Sequence, residues 1–137
     1  MANFDISYNR TLKFEGGYVN DDNDTGGETY KGISRKYNPS WCGWKIIDKY
    51  KKLKNFPKNL DSDNQLQILV KNCYRDNYWK AIHGDDISNQ KVADDLYDTA
   101  VNMGISMSIK LSERQFKLSE TGKMSSILLS KLNSVSK

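Results

Sequence analysis

The apolar positions of this chain recur with periods that mark a series of short helices and one hairpin. Phe4, Tyr8 and Leu12 fall at i, i+4 and i+8, with Ile6 and Phe14 beside them, and predict an opening helix. Asn3 or Asp5 caps its start, and Gly16-Gly17 ends it through a positive φ. Tyr18-Val19 and Tyr30 to Ile33 read as two short strands. The Asn, Asp and Gly run from Asn20 to Gly27 reads as the turn between them. Residues 35–60 are less regular. Asn38-Pro39-Ser40 marks a turn, Trp41, Trp44, Ile46 and Ile47 cluster, and a short helix starts near Ile47 and stops by Phe56-Pro57. Asp61-Ser62-Asp63 then caps a strong helix running to residue 82, with Leu66, Leu69, Val70, Cys73, Tyr74 and Tyr78 at helical spacing. A second strong helix spans 88–103, with Val92, Ala93, Leu96, Tyr97, Ala100 and Val101 on its buried stripe. Met107 to Phe116 form another, and Ile127, Leu128, Leu129 and Leu132 make an amphipathic tail.

This pattern describes an α+β chain, predominantly α-helical, with one small β-hairpin after the first helix. Its 137 residues suffice for one ordinary core. We place the main domain at residues 1–117 and the helical tail, packed on it, at 118–137. Hydrophobic residues at 37% and charged residues at 28% describe a soluble globular chain rather than a disordered one. No stretch is long enough to span a membrane, and Met-Ala-Asn-Phe-Asp-Ile lacks the basic start and apolar run of a signal peptide. The expectation is synthesis in the cytoplasm. Cys42 and Cys73 lack metal-ligand spacing and read as free thiols. A single histidine, His83, makes a His-based metal site or catalytic triad an unsuitable reading. We expect no metal and no cofactor.

Charge is unevenly distributed. Lys31, Arg35, Lys36, Lys45, Lys49, Lys51, Lys52, Lys54 and Lys58 share residues 31–58 with one acid, Asp48. Such a segment is either a solvated face or an attractor of polyanions. The acids lie earlier. Glu15 falls in the last turn of the predicted first helix, where the helix dipole disfavours its charge. Burial among Phe14 and Tyr18 would add to that, keeping it protonated as a general acid must be. The hairpin folds Asp21, Asp22, Asp24 and Glu28 back within reach of it. A protonated carboxyl facing an ionised one is the arrangement glycoside hydrolysis requires.

Glu15-Gly16-Gly17-Tyr18-Val19-Asn20-Asp21, Asn23-Asp24, Gly26-Gly27-Glu28-Thr29 and Gly32-Ile33-Ser34 together resemble the signature of glycoside hydrolase family 108, in the lysozyme-like superfamily. Tyr74 to Trp79 is similar to that family's Tyr-Trp helix end, and Tyr97 to Gly104 to its Asp…Val-Asn-x-Gly helix. The resemblance covers roughly residues 4–117. It implies a lysozyme-like fold, a predicted N-acetylmuramidase activity, and the general-acid role for Glu15. The turn departs from the family, with Asp22 and Thr25 near positions where proline is usual. Asp24 follows Glu15 by the nine residues seen in related phage lysozymes, while Thr29 comes one residue earlier than their threonine. Asp24 is the favoured second carboxylate and Glu28 its rival. Thr29 and Tyr18 serve as supports, through a hydrogen bond to water and contact with sugar. By resemblance Asp98 and Asn102 border the cleft; read alone, they are equally local hydrogen-bonding groups.

The reading is therefore a peptidoglycan hydrolase cleaving the β-1,4 bond between N-acetylmuramic acid and N-acetylglucosamine, with an endolysin or secretion-associated role. Its partner is the peptidoglycan glycan strand; no nucleic acid and no stable membrane insertion are expected, and the protein is expected to be a monomer. It would reach the wall after release through a holin, lysis or another export route. A lytic transglycosylase and a non-catalytic module binding wall or nucleic acid are the alternatives.

Overall fold

The computed structural model describes residues 1–12, 17–20 and 27–135. It contains six α-helices and a small sheet among the described residues, as the α+β reading expects. The chain divides into two compact units, residues 1–13 with 73–137, and residues 14–72.

In the first unit, α1 (Phe4–Leu12) opens with Asn3, whose Oδ1 accepts the Asp5 amide at 2.8 Å. It packs on α4 (Gln90–Met103). The face it buries is Phe4, Ser7 and Thr11, while Tyr8 is half-buried. Ser7 and Thr11 join Phe4 on that face because the seam is polar. The Ser7 hydroxyl donates to Asp94 Oδ1 at 2.5 Å, and the Gln90 amide donates to the same oxygen at 2.8 Å. Arg10 reaches the other oxygen of Asp94 at 3.3 Å. A buried carboxylate needs such donors, so hydroxyls replace apolar groups where α1 crosses it.

α4 begins at Asn89, whose side chain accepts the Lys91 and Val92 amides, and ends at Gly104, where φ is +103. Ala93 and Ala100 are fully buried, which leaves room for both α1 and α5 (Ile105–Gln115) to lie against it. The Ser108 hydroxyl of α5 donates to the Leu96 carbonyl at 2.7 Å. α3 (Asn64–Tyr74) starts in the second unit and ends in this one. It passes into a π-helical turn, Arg75–Trp79, instead of continuing as α-helix to residue 82. The turn delivers Trp79 into the core, 5.6 Å from the rings of both Phe4 and Tyr97, with Nε1 donating to Asp85.

The tail belongs to this unit. Glu113 of α5 is buried, and its carboxylate accepts the Thr121 and Gly122 amides at 2.8 and 2.9 Å and the Thr121 hydroxyl at 2.8 Å. α6 (Ser126–Asn133) then buries Leu128 and Leu132. Asn133 fastens its end by donating to the Asp86 carbonyl and accepting the Ser88 amide, both at 2.9 Å.

The second unit carries the sheet, in the order β1 (Tyr18–Asn20), β2 (Glu28–Tyr30), β3 (Ile33–Ser34), antiparallel throughout. The strand expected over Tyr30 to Ile33 is in fact two. Lys31 and Gly32 have φ of +47 and +84 and form a tight two-residue turn. α2 (Gly43–Tyr50) begins four residues earlier than the helix expected near Ile47. Gly43, Trp44 and Ile47 are its buried residues, and Trp44 Nε1 donates to the Asn38 carbonyl. A 3₁₀ turn, Lys58–Ser62, buries Leu60 and leads to Asp63, which caps α3 through the Leu66 amide.

Gly84 lies against the Trp79 ring so closely that a Cβ there would fall 2.2 Å from it. Gly84→Ala is predicted to lower stability by about 1–3 kcal/mol through overpacking. Chemical denaturation would measure the loss, and an unchanged midpoint would contradict the packing described.

Candidate functional site

The alternation of side chains along a strand sorts the hairpin candidates into two faces. Tyr18 pairs with Tyr30 and Asn20 with Glu28, so Tyr18, Glu28 and Tyr30 share one face. Val19 pairs with Thr29, and Thr29 with Ser34, on the other. The first face is packed: Tyr30 is 1% exposed, and its hydroxyl accepts from the Gln67 amide at 2.9 Å. The second is open, with Val19 47% exposed and Thr29 half-buried. Thr29 and Glu28 are sequence neighbours on opposite faces of β2.

Glu28 sits at the centre of a charged cluster. Its side chain is 13% exposed. The Tyr18 hydroxyl donates to Oε2 at 2.7 Å, Lys51 Nζ pairs with the same oxygen, and Arg35 donates to Oε1 at 3.1 Å. Asp48 closes the cluster. Arg35 holds it with two parallel bonds of 2.8 and 2.9 Å, and Lys51 lies 3.2 Å from its Oδ1. The aromatic rings shape the same region. Arg35 lies over Trp44 at 5.2 Å, Lys51 over Tyr18 at 5.9 Å, and Phe56 meets Tyr18 edge-on at 4.7 Å.

Burial pushes the Glu28 carboxyl up, but bonds from Lys51, Tyr18 and Arg35 outweigh it, and the net shift is downward. The Arg35 bonds bring Asp48 down to about 2. Burial lowers Lys51, and its bonds to Glu28 and Asp48 raise it further than burial lowers it. Burial, then the bond to Glu28, raises Tyr18. Glu28 is thus an ionised carboxylate whose oxygens are already engaged by three donors. That is the state of a fixed anion, not of a proton acceptor awaiting water.

Asp98 and Asn102 lie one turn apart on α4, in the first unit. Asp98 Oδ1 accepts from the Thr11 hydroxyl and from the Asn102 amide, each at 3.3 Å, and the same amide donates to the Asp98 carbonyl at 2.8 Å. They form a local hydrogen-bonded pair with Asn102 exposed. Trp44 is 2% exposed and belongs to the core; Trp41 stands 5.3 Å from it, half-buried, with Nε1 donating to the Leu69 carbonyl. Glu15, Asp21, Asp22 and Asp24 lie outside the described residues.

Sequence alone does not reveal Arg35, Lys51 and Asp48 as partners of the hairpin, because they stand within one basic run. The available signal was the i, i+3 spacing of Asp48 and Lys51, which places acid and base together on a helix. Among the described residues no cluster of His, Cys, Asp or Glu is arranged to hold a metal ion.

The family described as glycosyl hydrolase 108 matches residues 8–104, a span containing every candidate residue named above. The solved structure of Brucella abortus SagA is similar in fold, with a TM-score of 0.66 at 21% identity, covering 97% of this chain and 70% of that chain. The shared architecture is the α+β, lysozyme-like one expected from the sequence. No curated protein matches the chain.

The cluster has a pH signature. Glu28 and Asp48 have depressed folded values, so their contribution to stability is complete above the ordinary carboxylate range. It is lost as pH falls, for Asp48 between 3.8 and about 2. Lys51 is raised, so its contribution persists through 10.5 and is lost only above that. Lys51→Met is predicted to cost about 1–2 kcal/mol at pH 7, discounted from the buried-pair value because both groups retain some solvent. It should also flatten the acid limb. Urea unfolding at pH 7 and pH 3 checks both; an equal acid loss in wild type and variant would sink the assignment.

Proposed function

The chain belongs to the glycosyl hydrolase 108 family, a family of peptidoglycan hydrolases, and on that premise we propose that it cleaves the β-1,4 bond between N-acetylmuramic acid and N-acetylglucosamine. The family match through the whole Glu15 to Ser34 motif carries this reading. Glu15 protonates the glycosidic oxygen as the bond breaks through an oxocarbenium-like state. Asp24 is the second carboxylate, which activates water or steadies the positive charge.

Two observations favour Asp24 over Glu28 in that role. Glu28 is bonded by Tyr18, Lys51 and Arg35, so accepting a proton would break an ion-pair cluster. It also lies on the packed face of β2. We assign Glu28 and Tyr18 to positioning: they hold the base of the hairpin that carries Asp24. Thr29, on the open face, is the hairpin side chain suited to a water or sugar hydroxyl. Asp98 and Asn102 present an amide already turned toward its own helix, a supporting role at most.

Release of soluble fragments from purified peptidoglycan, followed by mass analysis, tests the reading. Glu15→Gln and Asp24→Asn are predicted to reduce turnover by about 10²-fold or more. Glu28→Gln should keep turnover within about tenfold of wild type once corrected for folded fraction, its loss appearing in stability instead. A reducing N-acetylmuramic end supports hydrolysis of the named bond. A 1,6-anhydro end would identify a transglycosylase, and full activity in Glu15→Gln would overturn the site.

A further inference from the structure

The basic run of residues 31–58 is divided by the fold. Arg35 and Lys51 turn inward onto Glu28 and Asp48. Lys54 and Lys58 do not. Both are exposed, and neither has an ion pair among the described residues. They flank a depression of about 610 Å³ in the second unit, lined also by Asn55, Phe56, Pro57 and Asn59. No acid lines it. Its apolar wall is Phe56, the ring that meets Tyr18 of β1 at 4.7 Å, so the depression adjoins the hairpin.

An aromatic wall beside two exposed cations, unpaired among the described residues, suits one class of ligand. We propose that this depression is a subsite for a carboxylate-bearing sugar unit of the glycan strand. The inference rests on the reading of the chain as a peptidoglycan hydrolase. The two alternating sugars differ there in chemistry. N-acetylglucosamine is neutral. N-acetylmuramic acid carries a lactyl group whose carboxyl is either free or continued into an acidic stem peptide. A cationic subsite prefers the second sugar and rejects a shift of one unit along the strand. Lys54 and Lys58 would thereby set which glycosidic bond reaches the acid.

The test is equilibrium binding by calorimetry, using the full chain carrying Glu15→Gln so that ligands survive. Three soluble ligands serve: a neutral N-acetylglucosamine oligomer, a peptide-free fragment with lactyl carboxylates, and a peptide-bearing fragment. The anionic ligands should bind about fivefold or more tightly than the neutral one, with the preference shrinking as salt rises. Adding Lys54→Gln and Lys58→Gln should abolish the preference. Lys45→Gln with Lys49→Gln, an equal change of net charge on α2 outside the depression, should leave it intact. A preference confined to the peptide-bearing fragment locates the recognised carboxylate in the stem; one shared by both locates it in the lactyl group. The proposal is overturned if the Lys54/Lys58 pair keeps the preference, or if both pairs lose it equally. Wild-type release of sugar from peptidoglycan, measured in parallel, separates the two readings. Release without a preference defeats only the subsite, whereas neither release nor binding defeats the glycan reading itself.

Discussion

A carboxylate with 13% of its side chain exposed must be surrounded by donors, and Glu28 recruits them from three parts of the second unit. Tyr18 comes from β1, Arg35 from just beyond β3, and Lys51 from the end of α2. The sheet has strands of only two and three residues, too short to be stable by themselves. The charged cluster supplies what the backbone ladder cannot, tying the sheet to α2. Removing one donor leaves a buried charge short of partners, which costs more than the pair contributes when intact.

The first unit solves a similar problem with two neutral groups and one cation. Asp94 is 7% exposed where α1 crosses α4, and Ser7, Gln90 and Arg10 satisfy it. Beside this seam, Phe4, Trp79 and Tyr97 form an aromatic core with ring centroids 5.6–5.9 Å apart. The π-helical turn places Trp79 there, since the wider turn rotates the residues that follow α3. α1, the helix that leads toward Glu15 in sequence, is therefore anchored by both polar and aromatic contacts.

Charge in this molecule acts at two depths. Inside, Arg35 and Lys51 pair with Glu28 and Asp48 and contribute to holding the sheet. Outside, Lys54 and Lys58 lie exposed beside Phe56, with no ion pair among the described residues. Within one run of sequence, cations thus differ in their partners: those beside Glu28 and Asp48 are held in ion pairs.

By itself the amino-acid sequence determined the class of the fold and the general placement of its helices. Capping residues such as Asn3 and Asp63, and the apolar periods of α3, α4 and α5, are local signals, readable because a helix is built from contacts three and four residues apart. The motif from Glu15 to Ser34, a run of uncommon residues at fixed spacing, also revealed the family. Other features were decided only by tertiary structure. Ser7 and Thr11 are buried on α1 because Asp94 and Asp98, more than eighty residues away, need their hydroxyls. The division of Tyr30 to Ile33 into two strands depends on Lys31 and Gly32 both taking positive φ. Glu28 became a clamped anion, and Arg35 and Lys51 internal ion-pair partners, only when the sheet met α2. The physical reason is common to all three. A side chain's identity is local, but its burial, its partners and its ionisation depend on what the folded chain brings next to it.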